Sequence, residues 1–138
     1  MTMQEGPGAR GLGTAARYDR AYFLDQLGDS LAGLGRHEAA IEAYREAGQG
    51  FEAQDAPCSR ALCLFKIAGS YLSLREPWHA LGYLEACLPL LRDLGLVRYF
   101  SLAQDHLAAC RAELASLLGG PPPLSDPARS GVSSPGRG

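Results

Sequence analysis

The chain is short of lysine, of charge of one sign and of long apolar runs. Lys66 is the only lysine among thirteen basic residues, the rest being arginine, and the formal net charge is −2. A protein that holds nucleic acid by bulk electrostatics needs a basic face to displace counterions, so that class is set aside. No apolar run approaches the ~20 residues that a bilayer-spanning helix requires. The first thirteen residues lack the charged-then-apolar order of an export signal. Four cysteines, Cys58, Cys63, Cys87 and Cys110, lie within apolar segments and are too few for a disulfide framework. Together these features lead us to expect a cytoplasmic protein, without membrane or nucleic-acid partners.

What is present is a folding sequence: 46% hydrophobic and 20% charged over 138 residues, room for one modest domain. Glycine and proline crowd the two ends. Residues 1–17 and 119–138 therefore read as disordered tails, the second as GGPPPLSDPARSGVSSPGRG, and 18–118 as the folded part. No alternating strand pattern occurs.

The folded part repeats itself at an offset of 40. Leu24 meets Leu64, Leu27 meets Ile67, Gly28 meets Ala68, Ala40 meets Ala80, Tyr44 meets Leu84 and Ala47 meets Cys87. Small residues fall on small and large apolar on large. A further step gives a partial third copy at Leu107 and Ala108. Inside each copy, apolar residues step by three and four, the period of a helix face. The spacing predicts helices over 19–34, 37–53, 59–74, 77–94 and 97–118. Gly35 and Gly95 stand as C-terminal glycines, and Pro77 in a first helical turn. Helix pairs approach closely where Gly28, Ala40, Ala68 and Ala80 are small, while Leu27, Tyr44, Ile67 and Leu84 fill the flanking space. Two features disturb the helix pattern at one repeat position. Gly48–Gln49–Gly50 and Pro89 predict a bend or loosened turn near 48–50 and near 85–89.

The run LGDSLAGLGRHEAAIEAYREA resembles the tetratricopeptide repeat, with Leu24, Leu27–Gly28, Leu31, Ala40, Tyr44 and Ala47 in the family's pattern positions. The second copy, through Leu64, Ile67–Ala68, Tyr71, Ala80, Leu84 and Cys87, resembles it less closely. A period of 40 against the usual ~34 fits a long-helix variety. The resemblance implies an all-α fold, a short right-handed superhelix of antiparallel helix pairs, in which the first helix of each pair lines a concave groove. It places Tyr22, Asp25, Asp29 and Ala32, then Leu62, Phe65, Gly69 and Leu72, then Leu102, Asp105 and Ala109 on that groove. Family members that grip a chaperone's terminal carboxylate present basic groups and Asn there. Here stand Asp25 and Asp29, so that ligand is rejected.

The expected function is a non-enzymatic protein–protein interaction module whose groove takes a peptide or helix carrying a basic residue beside an apolar anchor. The competing expectation for these side chains is a solvated acidic face, with Leu62, Phe65 and Leu72 covered by a neighbouring helix. A sensory or dimerisation segment of a signalling or transcriptional regulator is the alternative function. It draws on Phe100, Ala103, Leu107, Cys110, Leu114 and Leu117, which step 3-4-3-4-3 and suit either a homodimer seam through the last helix or a cap on the second pair. No catalytic residue, metal ligand or cofactor site is assigned. Cys58 and Cys63 are spaced unlike a zinc pair, Cys87 and Cys110 fall in core positions, and His37 and His79 flank helix starts. Arg36 and Arg45 are expected to pair with Glu42 or Glu46.

Overall fold

The structure is a computed structural model that describes the backbone of residues 6–119 and the side chains of 19–119. It is all-helical among the described residues. The helices are α1 (Gly6–Gly33), α2 (His37–Ala53), α3 (Pro57–Ser73), α4 (Pro77–Asp93) and α5 (Val97–Leu117). Each packs on the next, and α3 also touches α5, as in a solenoid of stacked hairpins. Helix α1 begins at Gly6, inside the segment 1–17 read as a tail. Extending a helix whose later turns are already docked costs little, and Ala15–Ala16–Arg17 are good helix formers. Residues 1–5 and 120–138, the remainder of both expected tails, lie outside the described residues.

One turn is used four times. The chain enters the left-handed region at Gly35 (φ 80°), Asp55 (φ 56°), Arg75 (φ 62°) and Gly95 (φ 74°). At each, the next residue's N–H reaches back to the carbonyl five residues earlier: Arg36 to Leu31, Ala56 to Phe51, Glu76 to Tyr71 and Leu96 to Leu91, all at 2.9 Å. The left-handed residue's own N–H bonds the carbonyl three back. This double bond closes a helix by satisfying its last carbonyls. The residue that completes each closure is also the one that precedes the next helix. Pro57 and Pro77 then open α3 and α4, where a missing N–H costs nothing.

The core is built largely from small side chains. Ala61, Ala68, Ala80, Leu84, Cys87, Leu91, Ala103 and Cys110 form one fully buried cluster among α3, α4 and α5. Ala40, Ile41, Tyr44 and Ile67 form a second, and Ala21, Ala47, Phe51 and Cys63 a third. Leu27 departs from its expected packing role and is 38% exposed, whereas its repeat equivalent Ile67 is buried. The reason is position in the stack: α2 covers Ile67, but no described helix precedes α1.

The glycines of α2 do not bend it. Both α2 and α4 run as unbroken helix through 48–50 and 85–89, so the expected loosened turns are absent. A Cβ on Gly50 would lie 2.9 Å from that of Ala21, and one on Gly48 3.5 Å from that of Cys63. Gly50 thus lets α2 sit close to α1, whereas the space at Gly48 would admit a methyl group in ordinary contact with α3. Pro89 occupies an exposed position beside exposed Glu85, where the carbonyl left unpaired by the proline can be hydrated.

Gly28 has the tightest requirement. A Cβ there would fall 2.5 Å from the Tyr44 ring. Gly28→Ala should therefore destabilise the protein by about 1–3 kcal/mol through overpacking, against the ~1 kcal/mol that alanine gains in a helix. Gly82, in α4, has open space around its Cβ position. Gly82→Ala should raise stability by about 0.5–1 kcal/mol. Urea unfolding of the two variants checks the opposite signs.

Candidate functional site

The first helices, α1, α3 and α5, share one face, and side chains from them meet there in two equivalent clusters. In the first, Lys66 of α3 reaches back to α1. Its Nζ lies 3.0 Å from Asp25 and 3.1 Å from Asp29. Asp29 also accepts the Tyr44 hydroxyl at 2.7 Å, and the Cys63 thiol lies 3.9 Å from Asp25. Lys66 Nζ stands 5.6 Å from the centre of the Tyr44 ring. Burial alone would lower the Lys66 pKa, but hydrogen bonds and charges from the two carboxylates outweigh it and leave the ammonium more basic than usual. Burial and the bond to Asp29 push the Tyr44 phenol well up.

Forty residues on, His106 of α5 makes the same reach to α3. Its ring stacks on Phe65 at 5.2 Å and 5°, and its Cε1 lies 3.9 Å from where a Cβ on Gly69 would stand. Phe65 also meets Tyr99 edge-on at 5.6 Å. Lys66 and His106 occupy one repeat position, and Asp25–Asp29 and Phe65–Gly69 are the equivalent pairs that receive them. Burial lowers the His106 pKa, with Asp105 opposing, and its Nδ1 is a buried polar atom without a partner among the described residues.

The sequence-predicted groove residues are brought to this face with changed roles. Asp25 and Asp29 do not stand open, because Lys66 and Tyr44 already engage them. Leu62, Phe65 and Leu72 pack against the main cluster and are each partly buried, neither open nor fully covered. Tyr22 (53% exposed), Leu102 and Asp105 remain accessible. Lys66 and His106 were missed. The signal was available: each sits one position beyond an assigned groove residue, Phe65 or Asp105. Their side chains differ so much that no pattern of size or charge joins them.

The stripe on α5 is largely consumed within the chain. Ala103 and Cys110 are fully buried, Phe100, Leu107 and Leu114 pack on the main cluster, and Leu117 is left exposed. Cys110 donates to the Pro77 carbonyl at 3.0 Å. Burial pushes the Cys63 thiol up to about 12 and the Cys87 thiol up to about 11, which removes thiolate character from both. Of the arginines, Arg45 lies 3.9 Å from Glu42 and donates to the Tyr71 and Tyr83 hydroxyls. Glu46 pairs instead with Arg20 at 2.8 Å. Arg36 makes neither expected pair. Beside Arg45, a cavity of about 240 Å³ is lined by Glu38, Glu42, Tyr71, Glu76 and His79 among others.

No family model matches the chain, and no curated protein or solved structure matches it either.

Two measurements test the cluster assignments. Lys66→Met leaves two carboxylates facing each other without their cation, Asp25 being the more buried. It should cost about 1–3 kcal/mol, and adding Asp25→Asn with Asp29→Asn should recover part of that loss. For His106, a lowered folded pKa means that the unfolded chain takes up the proton first. Its contribution is present above about 6.5 and lost as pH falls through the folded value. His106→Phe keeps the stack and removes the titration. The variant's stability advantage over wild type should grow as pH falls from about 7 to 5 in urea-unfolding series.

Proposed function

We propose that the chain is a non-enzymatic protein-interaction module that holds a peptide or helix along the face shared by α1, α3 and α5. The observation that supports this most directly is the pair of equivalent inter-helix clusters. They fix the spacing of three helices along one face, and a surface held in this way loses little freedom when a partner docks. Accessible aromatic and apolar groups, Tyr22 on α1 and Leu102 on α5, lie at its two ends. On this face the carboxylates Asp25, Asp29 and Asp105 stand against two cations, Lys66 and the exposed Arg98, which steps four before Leu102. The face therefore favours a partner with a basic residue beside an apolar anchor.

The resemblance to tetratricopeptide repeats supports the same reading, since that architecture presents first helices to peptides. The structure alters which residues would make contact. Phe65 is spent on His106 and Tyr99, so anchoring falls to Tyr22 and Leu102, with Asp105 as the free carboxylate.

An array of peptides that combine arginine or lysine with an aromatic or leucine anchor tests this. Tyr22→Ala and Asp105→Lys should each weaken the best peptide by about tenfold, equivalent to ~1.4 kcal/mol, with circular dichroism unchanged. Binding that survives both changes, or an array without a salt-sensitive basic binder, overturns the reading.

A further inference from the structure

The outer side of α1 carries an apolar stripe that the rest of the stack explains. Phe23 is 63% exposed, Leu27 38% and Leu34 73%, and exposed Ser30 lies between them. Each has two repeat equivalents. In α3 and its C-terminal cap these are Cys63, Ile67, Ser70 and Leu74, and in α5 they are Ala103, Leu107, Cys110 and Leu114. Every one of the equivalents is buried or partly buried. They are the residues that receive the preceding helix. Cys63 packs with Ala47 and Phe51 of α2, Ile67 with Ile41 and Tyr44, and Ser70 meets His37 at 3.3 Å. Cys110 meets Pro77 of α4 in the same way. The stripe on α1 is thus a helix-receiving face with no helix on it among the described residues.

We propose that this face is covered by the same face of a second copy of the chain, α1 against α1 in antiparallel sense. Three observations select this occupant. Phe23, Leu27, Ser30 and Leu34 step 4-3-4, the seam spacing that lets two like helices interdigitate, with small Ser30 allowing close approach. The ends of the stripe carry opposite charges. Asp19 before it and Arg36 after it are both exposed, and neither is ion-paired with another described side chain. Antiparallel pairing sets Asp19 of each copy beside Arg36 of the other, twice by symmetry. The far end of the stack does not match. On α5 the positions that would receive a following helix hold Gln104, Ala108 and Arg111, all exposed. One apolar end and one polar end close a two-fold dimer, where two apolar ends would propagate a filament. Asp25 and Asp29 lie on the opposite flank of α1, so the groove stays accessible and this inference stands apart from the peptide reading.

Sedimentation velocity of the full chain across the micromolar range tests it. Wild type should show a reversible monomer–dimer equilibrium. Leu27→Glu and Leu34→Glu, at sites exposed in the monomer, should raise the dissociation constant about tenfold or more with an unchanged helical spectrum. Asp19→Arg and Arg36→Asp should each weaken the dimer, and the two together should restore it, a rescue that damage to the fold cannot mimic. Leu117→Glu on α5 should have no effect. A chain that stays monomeric throughout, or a dimer lost with Leu117→Glu and kept with Leu27→Glu, overturns the proposal.

Discussion

Everything in this stack depends on a left-handed residue recurring every twenty positions. At Gly35, Asp55, Arg75 and Gly95 the backbone turns through the same conformation and closes the preceding helix with the same pair of hydrogen bonds. Because the closing residue also precedes the next helix, each turn sets the starting point of the following element. Helices α2, α3 and α4 are consequently 17 residues long each. Identical turns repeat one angular relation between neighbours, and that relation is what brings equivalent residues to equivalent contacts. The contacts His37–Ser70 and Pro77–Cys110, forty residues apart in the chain, are one contact made twice.

The same constraint accounts for what could be read in the sequence. The forty-residue offset was legible because helix packing selects on size: Gly28, Ala40, Ala68 and Ala80 must be small whatever their neighbours are. The underlying cadence of twenty was hidden, since two of its four turns use Asp55 and Arg75 where glycine would be the signal. Strain at a non-glycine left-handed residue is on the order of 1–2 kcal/mol, which the closing hydrogen bonds and the docked helices on either side can carry. Gly48 and Gly50 misled for a related reason. Helix propensity treats glycine as a local weakness, yet at Gly50 the absent side chain makes room for Ala21, and the docked helices on both sides hold α2 unbroken through both glycines.

The shared face was only half legible. The resemblance singled out Asp25, Asp29 and Phe65 as groove positions, and in the structure each is in contact with a side chain from the next first helix. Lys66 meets the two aspartates by charge and His106 meets Phe65 by aromatic stacking. A repeat conserves geometry before chemistry: one position must bridge to the previous unit, and either an ion pair or a stack will do. Reading such a chain by residue type alone therefore separates side chains that the architecture makes equivalent.

The two bridges differ in what they contribute. An ammonium shared by two partly exposed carboxylates gains from their attraction while water still reaches the site, so its worth is modest and falls with salt. A stacked, uncharged imidazole with a buried nitrogen unpartnered among the described residues gains dispersion but resists protonation. The α1–α3 bridge is thus sensitive to ionic strength and the α3–α5 bridge to acid. A partner bringing a basic group to Asp25 and Asp29 would compete with Lys66 for its carboxylates. On the reading proposed above, the same partner would find Asp105 of α5 exposed and without the Lys66 bridge that engages Asp25 and Asp29.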